Sequence, residues 1–108
     1  MIWNYPNSLK PGKSEYTEEF MENLTPILTG LIAEGVPFRY RPLYDGWQLI
    51  FKWSGDVAAD VACHSGTYGN LEGFVESYNF PWDEGDVSML TPDDFLKKVI
   101  KYWYKKVE

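Results

Sequence analysis

The sequence predicts an α+β fold: an N-terminal helix, an antiparallel sheet of three to five strands and a C-terminal amphipathic helix, packed as two layers. Three observations predict it. Apolar residues recur at helical spacing near both ends of the chain. The segment between them alternates apolar and polar residues and is broken by turn-forming pairs. The 108 residues fit one domain. Residues 1–13, with Pro6, Pro11 and Gly12, read as an extended arm whose Trp3 and Tyr5 dock on the remainder, and residues 14–108 read as a single α+β domain.

The first helix is expected from Ser14. Ser14 can cap it, and Glu15, Glu18 and Glu19 suit the positive end of its dipole. Phe20, Leu24, Ile27, Leu28 and Leu31 form the apolar face. Pro26 removes a backbone donor and crowds the carbonyl of Glu22, so a kink or a restart at Thr25-Pro26 is expected. Gly35 ends the helix.

A hairpin follows, with Asp45-Gly46 as its two-residue turn. That turn sets Tyr44 opposite Trp47, Tyr40 opposite Phe51 and Phe38 opposite Trp53, an aromatic ladder on one face. The other face carries Arg39, Arg41, Gln48 and Lys52. Pro42 cannot donate to a ladder, which marks the first strand as an edge or a bulge. The third strand is expected over Val57–His64. A three-residue connection, Ser54-Gly55-Asp56, pairs Trp53 with Val57 and keeps the apolar faces together. Residues 65–70 read as a connection, Pro81–Gly85 as an acidic loop and Asp86–Leu90 as a short strand. In Leu71–Phe80, Leu71, Phe74, Val75 and Tyr78 fit a helix while Phe74, Tyr78 and Phe80 fit a strand face, and Gly73 and the rings favour the strand.

The C-terminal helix carries the fullest set of signals. Thr91 is the cap, Pro92 takes the first helical position, and Asp93 and Asp94 fill the first turn. Leu90 and Phe95 hold the two positions of a hydrophobic staple. Phe95, Leu96, Val99, Ile100, Trp103 and Val107 make the buried stripe, and Lys97, Lys98, Lys101, Lys105 and Lys106 the solvated face.

Composition narrows the function classes. Five Trp, eight Tyr and six Phe supply large buried areas at little rotamer cost. A net charge of −6 repels phosphate backbones, so nucleic acid is not an expected partner. Cys63 is the one cysteine, so no intrachain disulfide forms within these residues. Together with an N-terminus lacking signal-peptide character, this points to a cytoplasmic protein. No stretch reaches the apolar length needed to span a bilayer, and no membrane partner is expected.

No catalytic set emerges. Cys63 and His64 are adjacent in a strand and point to opposite faces, so thiol and imidazole do not meet. Asp60 and His64 share a face but stand four residues apart, too far for a direct bond. With Arg39, Arg41 and Lys52 they make a polar sheet face. Asp83, Glu84 and Asp86 resemble a calcium loop in charge alone, lacking the repeated ligands and the bidentate Glu, so no metal and no cofactor is expected. Gly66, Gly69 and Gly73 match no phosphate-binding pattern.

Two segments, Tyr68-Gly69-Asn70-Leu71-Glu72-Gly73 and Asp86-Val87-Ser88-Met89-Leu90-Thr91-Pro92-Asp93-Asp94-Phe95, resemble small uncharacterised proteins encoded by phages and prophages of Gram-positive bacteria. The resemblance covers about the C-terminal half. It implies no catalytic residues and an accessory or host-interaction role. The expectation is therefore a non-enzymatic module that binds another protein, of inhibitor or immunity type, through Glu72, Glu76, Trp82, Asp83, Glu84 and Asp86. A structural protein that self-associates, for example as a homodimer, is the second reading, and a small hydrolase-like enzyme using Asp60 and His64 the third.

Overall fold

The computed structural model of the chain describes residues 18–53 and 58–107. Their order is helix α1 (Glu18–Glu34), strands β1 (Arg39–Leu43), β2 (Gly46–Phe51), β3 (Ala59–Cys63), β4 (Val75–Tyr78) and β5 (Val87–Leu90), then helix α2 (Pro92–Val107). The strands form an antiparallel meander in the order β1-β2-β3-β4-β5. Both helices lie on one face of the sheet and share one core with it. This is the α+β arrangement that the sequence predicts. The arm over residues 1–13, the Ser14 cap and the Ser54–Asp56 connection lie outside the described residues.

Helix α1 runs through Pro26 without the expected restart. Pro26 and Glu22 are both on the exposed side, so the carbonyl that loses its donor faces water, while Leu24, Ile27, Leu28 and Leu31 hold the buried side. Gly35 ends the helix with φ +69°, and the Val36 amide closes back on the Leu31 carbonyl at 2.9 Å.

The hairpin register differs from the expected one by two residues. Tyr40 pairs with Leu49, Arg41 with Gln48 and Leu43 with Gly46, which puts the turn at Tyr44-Asp45. The Tyr40–Phe51 and Tyr44–Trp47 pairs therefore do not form, and Tyr44 is exposed. The physical reason lies in Gly46. A Cβ there would stand 1.8 Å from the Cys63 carbonyl oxygen, so Gly46 serves close approach to β3 rather than the turn. Tyr44 takes the positive φ (53°) instead, and Asp45 Oδ1 accepts the Ser65 amide at 2.9 Å. A two-residue slip preserves the faces. Trp47, Leu49 and Phe51 point inward with Val61 and Cys63. The β2–β3 register is the expected one, with Phe51 opposite Ala59. Pro42 lies on an edge strand, as its missing donor requires.

Two expected strands are shorter. The third spans Ala59–Cys63, and His64 belongs to the turn beyond it. Residues 71–80 divide: a 3-10 turn over Asn70–Glu72, a left-handed Gly73 (φ +87°), and only then β4. Pro81–Asp83 forms a second 3-10 turn.

Helix α2 follows its signals closely. The Thr91 hydroxyl accepts the Asp94 amide at 3.1 Å. Phe95 and Val99 are fully buried, and Leu96, Ile100, Tyr102 and Trp103 pack partly buried against the core. Val107, expected on the buried stripe, is exposed near the helix end. Rings dominate the packing: Phe51 lies 5.4 Å from Phe80, 5.9 Å from Phe95 and 6.0 Å from Trp53. The buried indole N–H of Trp47 donates to the Phe20 carbonyl at 2.6 Å, tying α1 to β2.

Candidate binding surface

With both helices on one face, the other face of the sheet has no covering layer among the described residues. Strand alternation and the registers place two rows of side chains across it. One row is Arg41, Gln48, Ala62, Glu76 and Met89, and the other is Arg39, Ile50, Asp60, Tyr78 and Val87. Tyr78 is 45% and Met89 50% exposed, high values for apolar side chains on a sheet. The β3–β4 connection extends this surface. The Tyr68 amide donates to Glu76 Oε2 at 3.0 Å, and a Cβ on Gly69 would stand 3.0 Å from the Met89 sulfur. Tyr68 is itself exposed, as is Tyr44, whose ring meets the His64 imidazole edge-on at 5.0 Å.

The middle of the face holds an open depression of about 310 Å³, lined by Arg41, Gln48, Ile50, Asp60, Tyr78 and Asn79 among others. The Gln48 side-chain amide donates to Asp60 Oδ2, while its oxygen is buried without a hydrogen-bond partner among the described residues. Burial raises the pKa of the Asp60 carboxyl above its ordinary value, with Glu76 and Asp83 adding repulsion against the Gln48 bond and Arg41. The depression thus sets the Asp60 carboxyl beside the Arg41 guanidinium and the Gln48 and Asn79 amides, so its lining offers both acceptors and donors.

The residues singled out in the sequence divide between different places. Arg41 and Asp60 meet in the depression, and Arg39 lies on the same face. Lys52 lies elsewhere, in a groove with Pro37, Trp53 and Trp103. His64 turns away from Asp60. Its Nδ1 accepts the Gly66 amide at 3.0 Å, its ring contacts Tyr44, and it is not among the groups acting on Asp60. Cys63 points into the core, where burial pushes its thiol pKa up to about 11 and its sulfur meets Asn23 and the Phe74 carbonyl.

The six residues expected to bind a partner are likewise dispersed. Glu76 stands on the open face, and Glu72 is exposed in the 3-10 turn before β4. Trp82 stacks on Phe80 at 4.5 Å with a 4° interplanar angle, and its indole N–H donates to Ser77 Oγ at 3.1 Å. Asp83 is only 4% exposed. Its carboxylate accepts the Ser77 hydroxyl at 2.8 Å and the Phe80 amide at 3.0 Å, which makes it a brace of the β4–β5 corner rather than a surface acid. Glu84 and Asp86 remain exposed. Sequence reasoning placed Gln48 on one face with Arg39 and Arg41 but missed Tyr78 and Met89 as members of it. Alternation alone assigns Gln48 to it, but β4 and β5 needed their registers.

Among the described residues, no three His, Cys, Asp or Glu side chains gather as a metal site, and no helix is long and apolar enough to cross a membrane. No protein-family model, curated protein or solved structure matches the chain.

Proposed function

We propose that this chain is a non-enzymatic binding module that contacts another protein through the open face of its sheet. The observation that carries the reading is that face itself: two cross-strand rows without a covering layer among the described residues, with Tyr78 and Met89 exposed beside a polar depression. Exposed apolar side chains rimmed by polar groups suit a protein interface. Arg39 and Arg41 beside Asp60 and Glu76 favour a partner that presents both carboxylates and donors, in keeping with an inhibitor or immunity type of accessory protein. The hydrolase-like reading has less support, because His64 is engaged with Tyr44 and Gly66.

The test uses Tyr78→Ser combined with Met89→Ser. Both side chains are about half exposed, so the melting temperature should change little. Binding of a partner captured on the immobilised chain should weaken at least about tenfold, the loss of one or two interface anchors. Unchanged binding refutes this face. Light scattering across concentrations addresses the alternative: a mass that rises with concentration, and falls back in the double variant, assigns the face to self-assembly.

A further inference from the structure

A second surface lies on the helical side, where the chain's charge reverses. Five of its ten lysines and arginines fall within residues 97–106 of α2, in a chain of net charge −6. Lys97 pairs with Asp93 at 3.0 Å. Lys98, Lys101 and Lys105 have no ion pair among the described residues, and with Pro81, Trp82 and Tyr102 they line a groove of about 220 Å³. The floor is aromatic. One face of Trp82 is covered by Phe80, Tyr102 meets the Trp82 ring edge-on at 6.3 Å, and the Lys98 ammonium stands 5.8 Å from the Trp82 centroid.

We propose that this groove binds an extended acidic segment of a partner protein, whose groove-facing side carries carboxylates with an apolar side chain among them. The argument is one of charge and spacing. Lys98, Lys101 and Lys105 lie three and four residues apart, on one side of the helix, and span about 10 Å along its axis at 1.5 Å per residue. Alternate residues of an extended chain lie about 6.6 Å apart on one side, so two or three acidic side chains match that span. An apolar side chain on that same side of the segment, flanked by acids, reaches the Trp82–Tyr102–Pro81 floor. Lysine supplies point charges that accept carboxylates without fixed geometry, and the groove holds no arginine fork of the kind suited to bidentate phosphate recognition. The net charge of −6 repels a long polyanion far more than a short acidic segment, which disfavours nucleic acid.

The probe is a fluorescein-labelled peptide of alternating Glu and Leu with a central Phe, titrated by anisotropy against the full chain. Binding should weaken as salt rises, fall at least about tenfold in Lys98→Glu/Lys101→Glu/Lys105→Glu, and shift the Trp82 indole N–H resonance. The neutral pair Lys101→Gln/Lys105→Gln should give an intermediate loss and guards against misfolding of the triple variant. The proposal is overturned by no binding, by equal binding of a Gln-for-Glu peptide, or by unchanged affinity in variants with the wild-type melting temperature. Tighter binding of an oligothymidylate than of the peptide overturns it in favour of nucleic acid. A wild-type dimer that the triple reversal dissociates overturns it in favour of a second copy, whose Glu18, Glu19 and Glu22 are exposed on α1.

Discussion

Replacing Asp83 with Ala should cost about 3–5 kcal/mol, although the residue sits in an acidic loop that reads as surface. Asp83 is 4% exposed, and its carboxylate accepts two bonds, from Ser77 Oγ and the Phe80 amide. Hydrogen bonds to a charged group each contribute about 1.5–3 kcal/mol net, and two bonds sharing one corner add incompletely. Ala also leaves the Phe80 amide buried without an acceptor and frees the Ser77 hydroxyl that receives the Trp82 indole N–H. Asp83→Asn keeps one oxygen in place and should cost less, about 1–2 kcal/mol. Glu84→Gln, one residue further and exposed, should stay within about 0.5 kcal/mol. Urea unfolding followed by tryptophan fluorescence measures all three, with a common slope showing that only stability has changed. A loss below about 1 kcal/mol in Asp83→Ala would refute the bracing role and return Asp83 to the surface set.

Four further outcomes follow from the same structure. Phe51→Ala should lose about 3–5 kcal/mol in denaturant midpoints, because a ring 2% exposed and ringed by Trp53, Phe80 and Phe95 leaves a cavity. Gly46→Ala should destabilise by about 3 kcal/mol or more, since the added methyl meets the Cys63 carbonyl rather than a movable side chain; a near-neutral result would reinstate Gly46 as a turn residue. Burial raises the Asp60 pKa, so the folded state binds that proton more tightly than the unfolded state, and stability is lost as pH rises from about 3.8 through the folded value. Asp60→Asn should therefore be more stable than wild type at neutral pH, with the gap closing below that range, and a pH-independent gap would sink the account. Cys63 should alkylate far more slowly in the native chain than in denaturant, about a hundredfold from the thiolate population alone, given the rise from 9.0 to about 11; equal rates would mean the thiol is exposed.

The fold was legible because its strongest signals are local. Thr91, Pro92, the two aspartates and the Leu90–Phe95 pair all specify one helix start, and they agree with the apolar stripe behind them. The β2–β3 register followed from keeping Trp47, Leu49 and Phe51 on the same side as Val61 and Cys63. The first hairpin misled for a non-local reason. Asp45-Gly46 reads as a turn from its own residues, but the demand on Gly46 comes from β3, seventeen residues further on at Cys63. Pro26 misled through the opposite error: a locally unfavourable residue is tolerated where the orphaned carbonyl faces water and the buried side of the helix is well packed.

The binding surfaces were harder to read, because charge in a sequence does not say which side of the fold it serves. Asp83, Glu84 and Asp86 are indistinguishable as a loop, yet the first is held inside by Ser77 and Phe80 and the other two face water. Trp82 reads as a partly covered ring between Pro81 and acids, and in the structure Phe80 and Ser77 hold one side against the core while its outer side meets Lys98. Conversely, no sequence signal sets Tyr78 and Met89 on the surface, and the β4–β5 register turns them outward. The consequence is a division of charge that composition hides. The open sheet face mixes Arg39 and Arg41 with Asp60 and Glu76, whereas the helical side gathers three lysines around Trp82. Two surfaces of different character, one mixed and one basic, on opposite layers, do not compete for one ligand. A partner that occupies the sheet face leaves the lysine groove accessible, so binding at the two sites should be additive unless one partner spans both layers.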